Sequence, residues 1–197
     1  MENIISLLTE QEKKKTKLVN LKKSQILFNE DETCKSIGII LEGNITISSY
    51  TINGNEIIYN SLFRGDIFGN NLIFSSEPKY KGSIIAKSDC KIALIYKKDL
   101  LEILQNNQQF LIKYLEIQSN FGKELNSKIK MLTLESVEDR LMFYIQANGG
   151  RVQFKSITSL SNALFAKRET ISRLISRLVK DNKITRIGNQ ISIKIDK

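Results

Sequence analysis

Between Lys167 and Lys180 the sequence KRETISRLISRLVK sets cations, hydroxyls and one carboxylate at helical spacing. Ile171, Leu174, Ile175, Leu178 and Val179 recur at i, i+3 and i+4 and make one apolar stripe. Lys167, Arg168, Thr170, Arg173, Ser176, Arg177 and Lys180 occupy the opposite face. A charged face often does no more than keep a surface helix soluble. The chemistry at the helix start goes further. Arginine can donate bidentately to O6 and N7 of guanine, and a carboxylate can accept from N4 of cytosine. Arg168, Glu169, Ser172 and Arg173 stand where a helix entering a DNA major groove presents side chains to base edges. A carboxylate facing anionic DNA is costly unless it reads a base or orients an arginine, so Glu169 favours specific contact.

Such a helix needs a partner to hold it. Residues 157–164 read as a shorter helix, N-capped by Ser156 or Thr158 and joined to the basic helix by a tight turn. Upstream, Ser136 caps a helix whose Val137, Leu141, Tyr144 and Ile145 face inward and which ends at Gly149-Gly150. Arg151–Phe154 reads as a short strand. Ile184-Thr185-Arg186, Gly188-Asn189 and Ile191-Ser192-Ile193 read as a closing hairpin, completing a winged helix. Residues 136–197 hold 12 Lys or Arg against 5 Asp or Glu, and so carry +7 of the chain's formal +9. Charge gathered in one third of a chain suits a phosphate-binding end.

Lys167-Arg168-Glu169-Thr170-Ile171-Ser172-Arg173-Leu174 resembles the recognition helix of the Crp/Fnr family of bacterial transcription regulators. Arg168, Glu169 and Arg173 match the base-reading positions of the cyclic-AMP receptor protein, whereas Glu169 and Ser172-Arg173 match the ExxSR pattern of the fumarate-nitrate regulator. The half-site is therefore expected to be TGTGA-like or TTGAT-like. Phe165 departs from the family, which usually has glycine in that turn.

From Lys17 to Lys98 the hydrophobic period is two. Ile37, Ile39 and Leu41, then Ile45, Ile47 and Ser49, then Ile57 and Tyr59 alternate between turn signals at 29–31, 42–44, 53–55 and 64–66. Asn53-Gly54 is the strongest hairpin signal. Short strands without intervening helices predict an antiparallel sandwich or jelly roll. Ile40-Leu41-Glu42-Gly43, Gly65-Asp66-Ile67-Phe68-Gly69 and Ala86-Lys87-Ser88-Asp89-Cys90 resemble the family's cyclic-nucleotide-binding barrel. In members that bind cyclic nucleotides, a glutamate holds the ribose hydroxyl and an arginine pairs with the phosphate. Here Gly69-Asn70-Asn71-Leu72 replaces the first phrase, and Tyr80-Lys81 lies nearest the second. An amide cannot supply the carboxylate, and lysine meets an anion as a point charge and not as a fork. Cyclic AMP is not expected; Phe68, Gly69, Asn70, Asn71, Leu72, Tyr80 and Lys81 are the candidate lining for another effector, or for none.

Beyond a short helix at 99–104, Asn106 or Asn107 can cap a helix reaching about Leu132. Phe110, Tyr114, Ile117, Phe121, Leu125 and Ile129 step along it by three or four, with Leu111 and Leu115 widening the stripe toward the barrel. At 1.5 Å per residue such a helix outruns a small barrel, so those six residues are the expected interface of a C₂ homodimer. The family resemblance also implies a dimerisation helix here, double-stranded DNA as partner and contact with RNA polymerase. Residues 1–16 read as a short amphipathic helix packed on the following domain.

The chain has no histidine, which removes histidine-ligated haem, a His-rich zinc site and a His-dependent triad. Cys34 and Cys90 lack CxxC spacing, and the cysteine cluster of the family's iron–sulfur sensors is missing. No metal, cofactor or catalytic residue is expected. With no long apolar run or signal peptide, the expected location is the cytoplasm. The expected architecture is α+β: a jelly-roll barrel over 1–104, a long dimerisation helix and hinge over 105–135, and a winged helix-turn-helix over 136–197. The alternative is a ligand-binding barrel protein whose winged helix contacts protein; an enzyme built on the barrel would want the histidines that are absent.

Overall fold

The computed structural model describes residues 4–54 and 56–194. Residues 1–3 of the N-terminal stretch, Asn55 of the hairpin signal and residues 195–197 of the expected C-terminal domain lie outside them. The chain divides into two compact units, Met1–Asn120 and Phe121–Lys197.

The first unit opens with a 3₁₀ turn, Ile4–Leu7, and α1, Glu10–Lys13. Thr9 and Glu12 close a reciprocal capping box at the start of α1, while Ile4 and Leu8 sink into the core. Eight strands follow: β1 (Lys17–Leu21), β2 (Ile26–Phe28), β3 (Ser36–Glu42), β4 (Asn44–Tyr50), β5 (Glu56–Phe63), β6 (Ile67–Phe68), β7 (Ser83–Ala86) and β8 (Cys90–Tyr96). They pair antiparallel in two four-stranded sheets, ordered β1-β8-β3-β6 and β2-β7-β4-β5. The expected jelly roll is thus a two-sheet arrangement, not a closed barrel. Strict alternation holds on neither β4, where Thr46, Ser48 and Ser49 are buried as well as Ile45, nor β3, where Ser36 to Ile40 are all buried because both faces of that strand are covered. Gly38 is needed there: the Phe68 ring lies where a β-carbon would stand. β5 is an edge strand, and Ile57, Ile58 and Tyr59 on it are exposed.

Helices α2 (Lys97–Asn106) and α3 (Gln108–Leu132) complete the run. Asn107 is the cap that starts α3, its Oδ1 accepting from the Phe110 N–H at 3.0 Å. Phe110 is fully buried and Tyr114 nearly so, both in the core of the first unit, with Ile117 packed against it. The expectation that Phe110 and Tyr114 face a second copy is therefore corrected. Leu115, expected to lean toward the barrel, is 53% exposed. The spacing was right and the direction was reversed. At about 100° per residue Phe110, Tyr114 and Ile117 share one sector, and Leu115 lies outside it.

The buried Tyr114 hydroxyl donates to the Asn70 carbonyl at 3.0 Å, and burial pushes its pKa up to about 12. Since this exceeds the ordinary value near 10, the neutral phenol is favoured in the folded state. Its contribution is present below pH 10 and is lost as pH rises through about 12. Tyr114→Phe is expected to cost about 1 kcal/mol at neutral pH and to flatten the alkaline loss of stability. Thermal melts of both proteins from pH 8 to 12 check this; parallel curves would contradict it.

The second unit contains the C-terminal part of α3 and then α4 (Val137–Ala147), β9 (Arg151–Gln153), α5 (Ile157–Ala163), α6 (Arg168–Lys180), β10 (Ile184–Ile187) and β11 (Gln190–Ile193). The strands form a three-stranded antiparallel sheet, β10-β11-β9. Leu141, Ile145, Leu160, Leu164, Ile171, Leu174, Ile175 and Leu178 are its buried core.

Candidate nucleic-acid interface

The helix-turn-helix starts from hydroxyl chemistry. Ser156 caps α5, accepting from the Ser159 N–H at 3.1 Å, while Ser159 Oγ accepts from the Ser156 N–H at 3.0 Å. The turn to α6 runs through Phe165, whose φ of 51° is in the left-handed region that glycine would adopt without strain. Two of its carbonyls are held from outside. Arg140, in the first turn of α4, donates from Nη1 to Leu164 O at 3.4 Å and to Phe165 O at 3.3 Å, and from Nε to Leu134 O at 3.2 Å. One guanidinium thereby ties the segment after α3 to the turn before α6. No sequence pattern marks that role, because the partners are backbone oxygens.

Four residues of α6 turn inward: Ile171, Leu174, Ile175 and Leu178. Val179, placed on the apolar stripe, lies at its edge and is 38% exposed. Lys167 immediately precedes the helix, and with Arg168, Glu169, Thr170, Ser172, Arg173, Arg177 and Lys180 on it all eight are exposed, so one surface carries the whole candidate set. Thr170, Arg173 and Arg177 line an open cavity of about 370 Å³ opposite Ser136, Val137 and Glu138 at the start of α4.

Arg177 is not simply aimed at a partner. Its Nη2 is 2.6 Å from Glu138 Oε2, and Lys183 Nζ is 2.8 Å from Glu138 Oε1. Lys183 first, and Arg177 with it, hold the Glu138 carboxyl below the usual range. Expected as a DNA contact, Arg177 has an internal carboxylate as its observed partner. Sequence reading passed over Glu138, which is 39 residues from that arginine.

The candidate effector residues differ in burial, and Gly69 and Tyr80 both lie against the Ser36 carbonyl. Phe68 and Tyr80 are buried, with the Tyr80 ring stacked on Phe28 at a centroid distance of 4.9 Å. Gly69 has φ +77° and packs so closely that a β-carbon would lie 2.8 Å from Ser36 O. Asn70 is buried and its side chain donates to Gln118 of α3. Leu72 packs against the core, while Asn71 and Lys81 are exposed. The expected pocket lining is thus divided between core, helix contact and surface. Tyr80, where a cyclic-nucleotide binder has arginine, fills space with its ring.

Comparison with known proteins places this geometry. The family described as a cyclic nucleotide-binding domain matches residues 18–107. The anaerobic regulatory protein of Bacillus subtilis is 24% identical over 176 residues, covering 84% of this chain and 74% of the relative. The fumarate and nitrate reduction regulatory protein of Salmonella typhi is 27% identical over 188 residues, covering 88% and 73%. Among solved structures, a CooA mutant from Carboxydothermus hydrogenoformans shares the fold with a TM-score of 0.74 at 17% identity, over 98% of this chain and 92% of that one. Among the described residues no helix is long and apolar enough to cross a membrane. The alignments run well past Asn120 into the helix-turn-helix unit, so the likeness is to whole regulators and not to the sheet domain alone: along most of its length the chain is similar to transcription regulators of the Crp/Fnr type.

Proposed function

We propose that the protein is a homodimer that binds a near-palindromic DNA site through α6 of each copy, with an effector other than cyclic AMP, or none. The observation that carries the reading is the exposed base-reading set Arg168, Glu169, Ser172 and Arg173 over four buried aliphatic residues on one 13-residue helix. Relatives named as anaerobic and fumarate–nitrate regulatory proteins support it. In this reading α3 is the dimerisation helix, RNA polymerase is the downstream partner and the cytoplasm is the site of action.

The pairing seam of α3 is Leu115, Gln118, Gly122, Leu125, Ile129 and Leu132, which recur at alternating steps of three and four, the coiled-coil spacing. Four of these are aliphatic, each 48–53% exposed, and a β-carbon at Gly122 would meet nothing within 4 Å. Glycine at the middle of a seam lets two backbones approach closely.

Selection from a random DNA pool tests the reading. A two-fold symmetric motif with half-sites about one helical turn apart is the expected outcome, and recovery of no such motif sinks it. A winged helix that contacts protein instead would show DNA retention nearly flat with salt, where a DNA reader loses affinity steeply.

Glu138 supplies a second check. Its carboxylate repels phosphates and occupies both Arg177 and Lys183. Glu138→Gln is expected to tighten DNA binding at low salt and to steepen the slope of log K against log salt by about one. Anisotropy titrations at several salt concentrations read this, and weaker binding with an unchanged slope would speak for a purely structural ion pair.

A further inference from the structure

At the two positions where cyclic-nucleotide binders of the family carry a carboxylate and an arginine, this chain has Asn70 and Tyr80, and both are engaged within the protein. Asn70 is 6% exposed. Its Nδ2 donates to Gln118 Oε1, and its backbone carbonyl accepts from Gln118 Nε2 at 2.9 Å and from the Tyr114 hydroxyl at 3.0 Å. Three hydrogen bonds thus join the turn after β6 to α3. Buried amides joined in this way would leave donors and acceptors unpaired if the helix lifted, and that is costly away from water. Tyr80 is buried, with its ring stacked on Phe28.

Gln118 has a second address. It falls between Leu115 and Gly122 on the proposed seam, where an apolar residue would pair better. Seam packing alone therefore does not account for a glutamine; the Asn70 turn does. Resting on the regulator reading above, we propose that Asn70, Gln118 and Tyr114 are positioning residues that seat α3 on the jelly roll in place of an effector, so that the DNA-binding form is populated without ligand. The turn fixed by Gly69 supplies the fit, and α3 supplies both partners of the Asn70 carbonyl. A ligand that entered here would first have to break this clip.

The test uses the full chain, purified as a dimer whose native mass spectrum shows the bare polypeptide. Gln118→Leu removes both Gln118 bonds while adding an apolar residue to the seam, and Asn70→Ala removes the side-chain bond alone, since the Asn70 backbone carbonyl keeps its two donors. Wild type is expected to bind the selected site at full affinity with nothing added. Both variants are expected to stay dimeric, with Gln118→Leu binding about ten-fold more weakly and Asn70→Ala weakened by a smaller factor, since apparent affinity scales with the competent fraction. Amide exchange over residues 110–120 should rise by a similar factor, roughly ten-fold, as the helix is released. Gln118→Leu bound as tightly as wild type overturns the proposal, because a seam role alone predicts equal or better binding. So does a copurified molecule whose removal lowers DNA affinity ten-fold or more and whose return restores it. If wild type binds no DNA at all, the regulator reading falls instead, and exchange decides the clip: unchanged protection in both variants rejects it.

Discussion

Leu125→Glu combined with Ile129→Glu is expected to convert the proposed dimer to monomers and to abolish binding to the full site. Both side chains are about half exposed in the single chain, at 48% and 52%, so the substitutions spare the protomer's own core. In a two-fold seam they become four aliphatic groups, each worth about 1.5–3 kcal/mol if it went from fully exposed to fully buried. Half of that area is still available to bury, so the apolar loss alone is roughly 3–6 kcal/mol. Four carboxylates brought together in a desolvated seam add further repulsion. The dimer constant should weaken by about three orders of magnitude or more. A monomer keeps one half-site and loses the effective concentration that couples the two. Sedimentation equilibrium at micromolar protein reads the first effect, and a titration on full and half sites the second. Phe110→Glu is the control: that ring is fully buried in the first unit, so the variant should unfold it and not merely dissociate. A Leu125→Glu, Ile129→Glu protein that sediments as a dimer would place the interface elsewhere.

The contrast between Phe110 and Leu115 shows what periodicity can and cannot deliver. Steps of three and four locate a helix and the angular spread of its apolar residues, and α3 runs to Leu132 as that spacing predicts. They do not say which sector meets the core when the apolar arc is wide enough to meet two things. The same holds on β3, where burial of both faces hides alternation and Gly38 makes sense only once the Phe68 ring is seen above it. Local signals fared better. Ser136, Ser156 and Asn107 all cap helices, and the glycines after α4 take positive φ, because such features are decided within a few residues. The departure at Phe165 was visible in the sequence as a missing glycine, and it surfaces as a left-handed residue held by Arg140.

What stayed hidden depends on distance along the chain. Asn70 and Gln118 are 48 residues apart, and Glu138 and Arg177 are 39 apart. In each pair one member was read by its neighbours: Asn70 as a poor ligand residue and Arg177 as a DNA cation. The side chains are chemically able to do either. Only the fold decides that one amide meets another and one guanidinium meets a carboxylate, and that shifts what the exposed residues of α6 must do alone.

In the proposed reading Arg173 carries most of that burden, and Arg173→Ala is expected to separate reading from holding. It is exposed one turn beyond Glu169 and lines the cavity opposite the start of α4. A bidentate arginine–guanine pair is worth about 1–3 kcal/mol of discrimination. Its removal should therefore lower affinity for the selected site about five- to 150-fold. The loss should fall on one base pair of each half-site, with the variant nearly indifferent to the base placed there. Lys180→Ala, in the last turn of α6, should instead weaken all sequences alike and reduce the salt slope by roughly one. Glu169→Gln should relax a different position, since the acceptor pair of a carboxylate toward cytosine N4 is halved in an amide. Repeating the random-pool selection with each variant distinguishes these outcomes. If Arg173→Ala weakens every sequence equally and returns the wild-type motif unchanged, the arginine holds phosphate, and base reading must lie with Arg168 and Ser172.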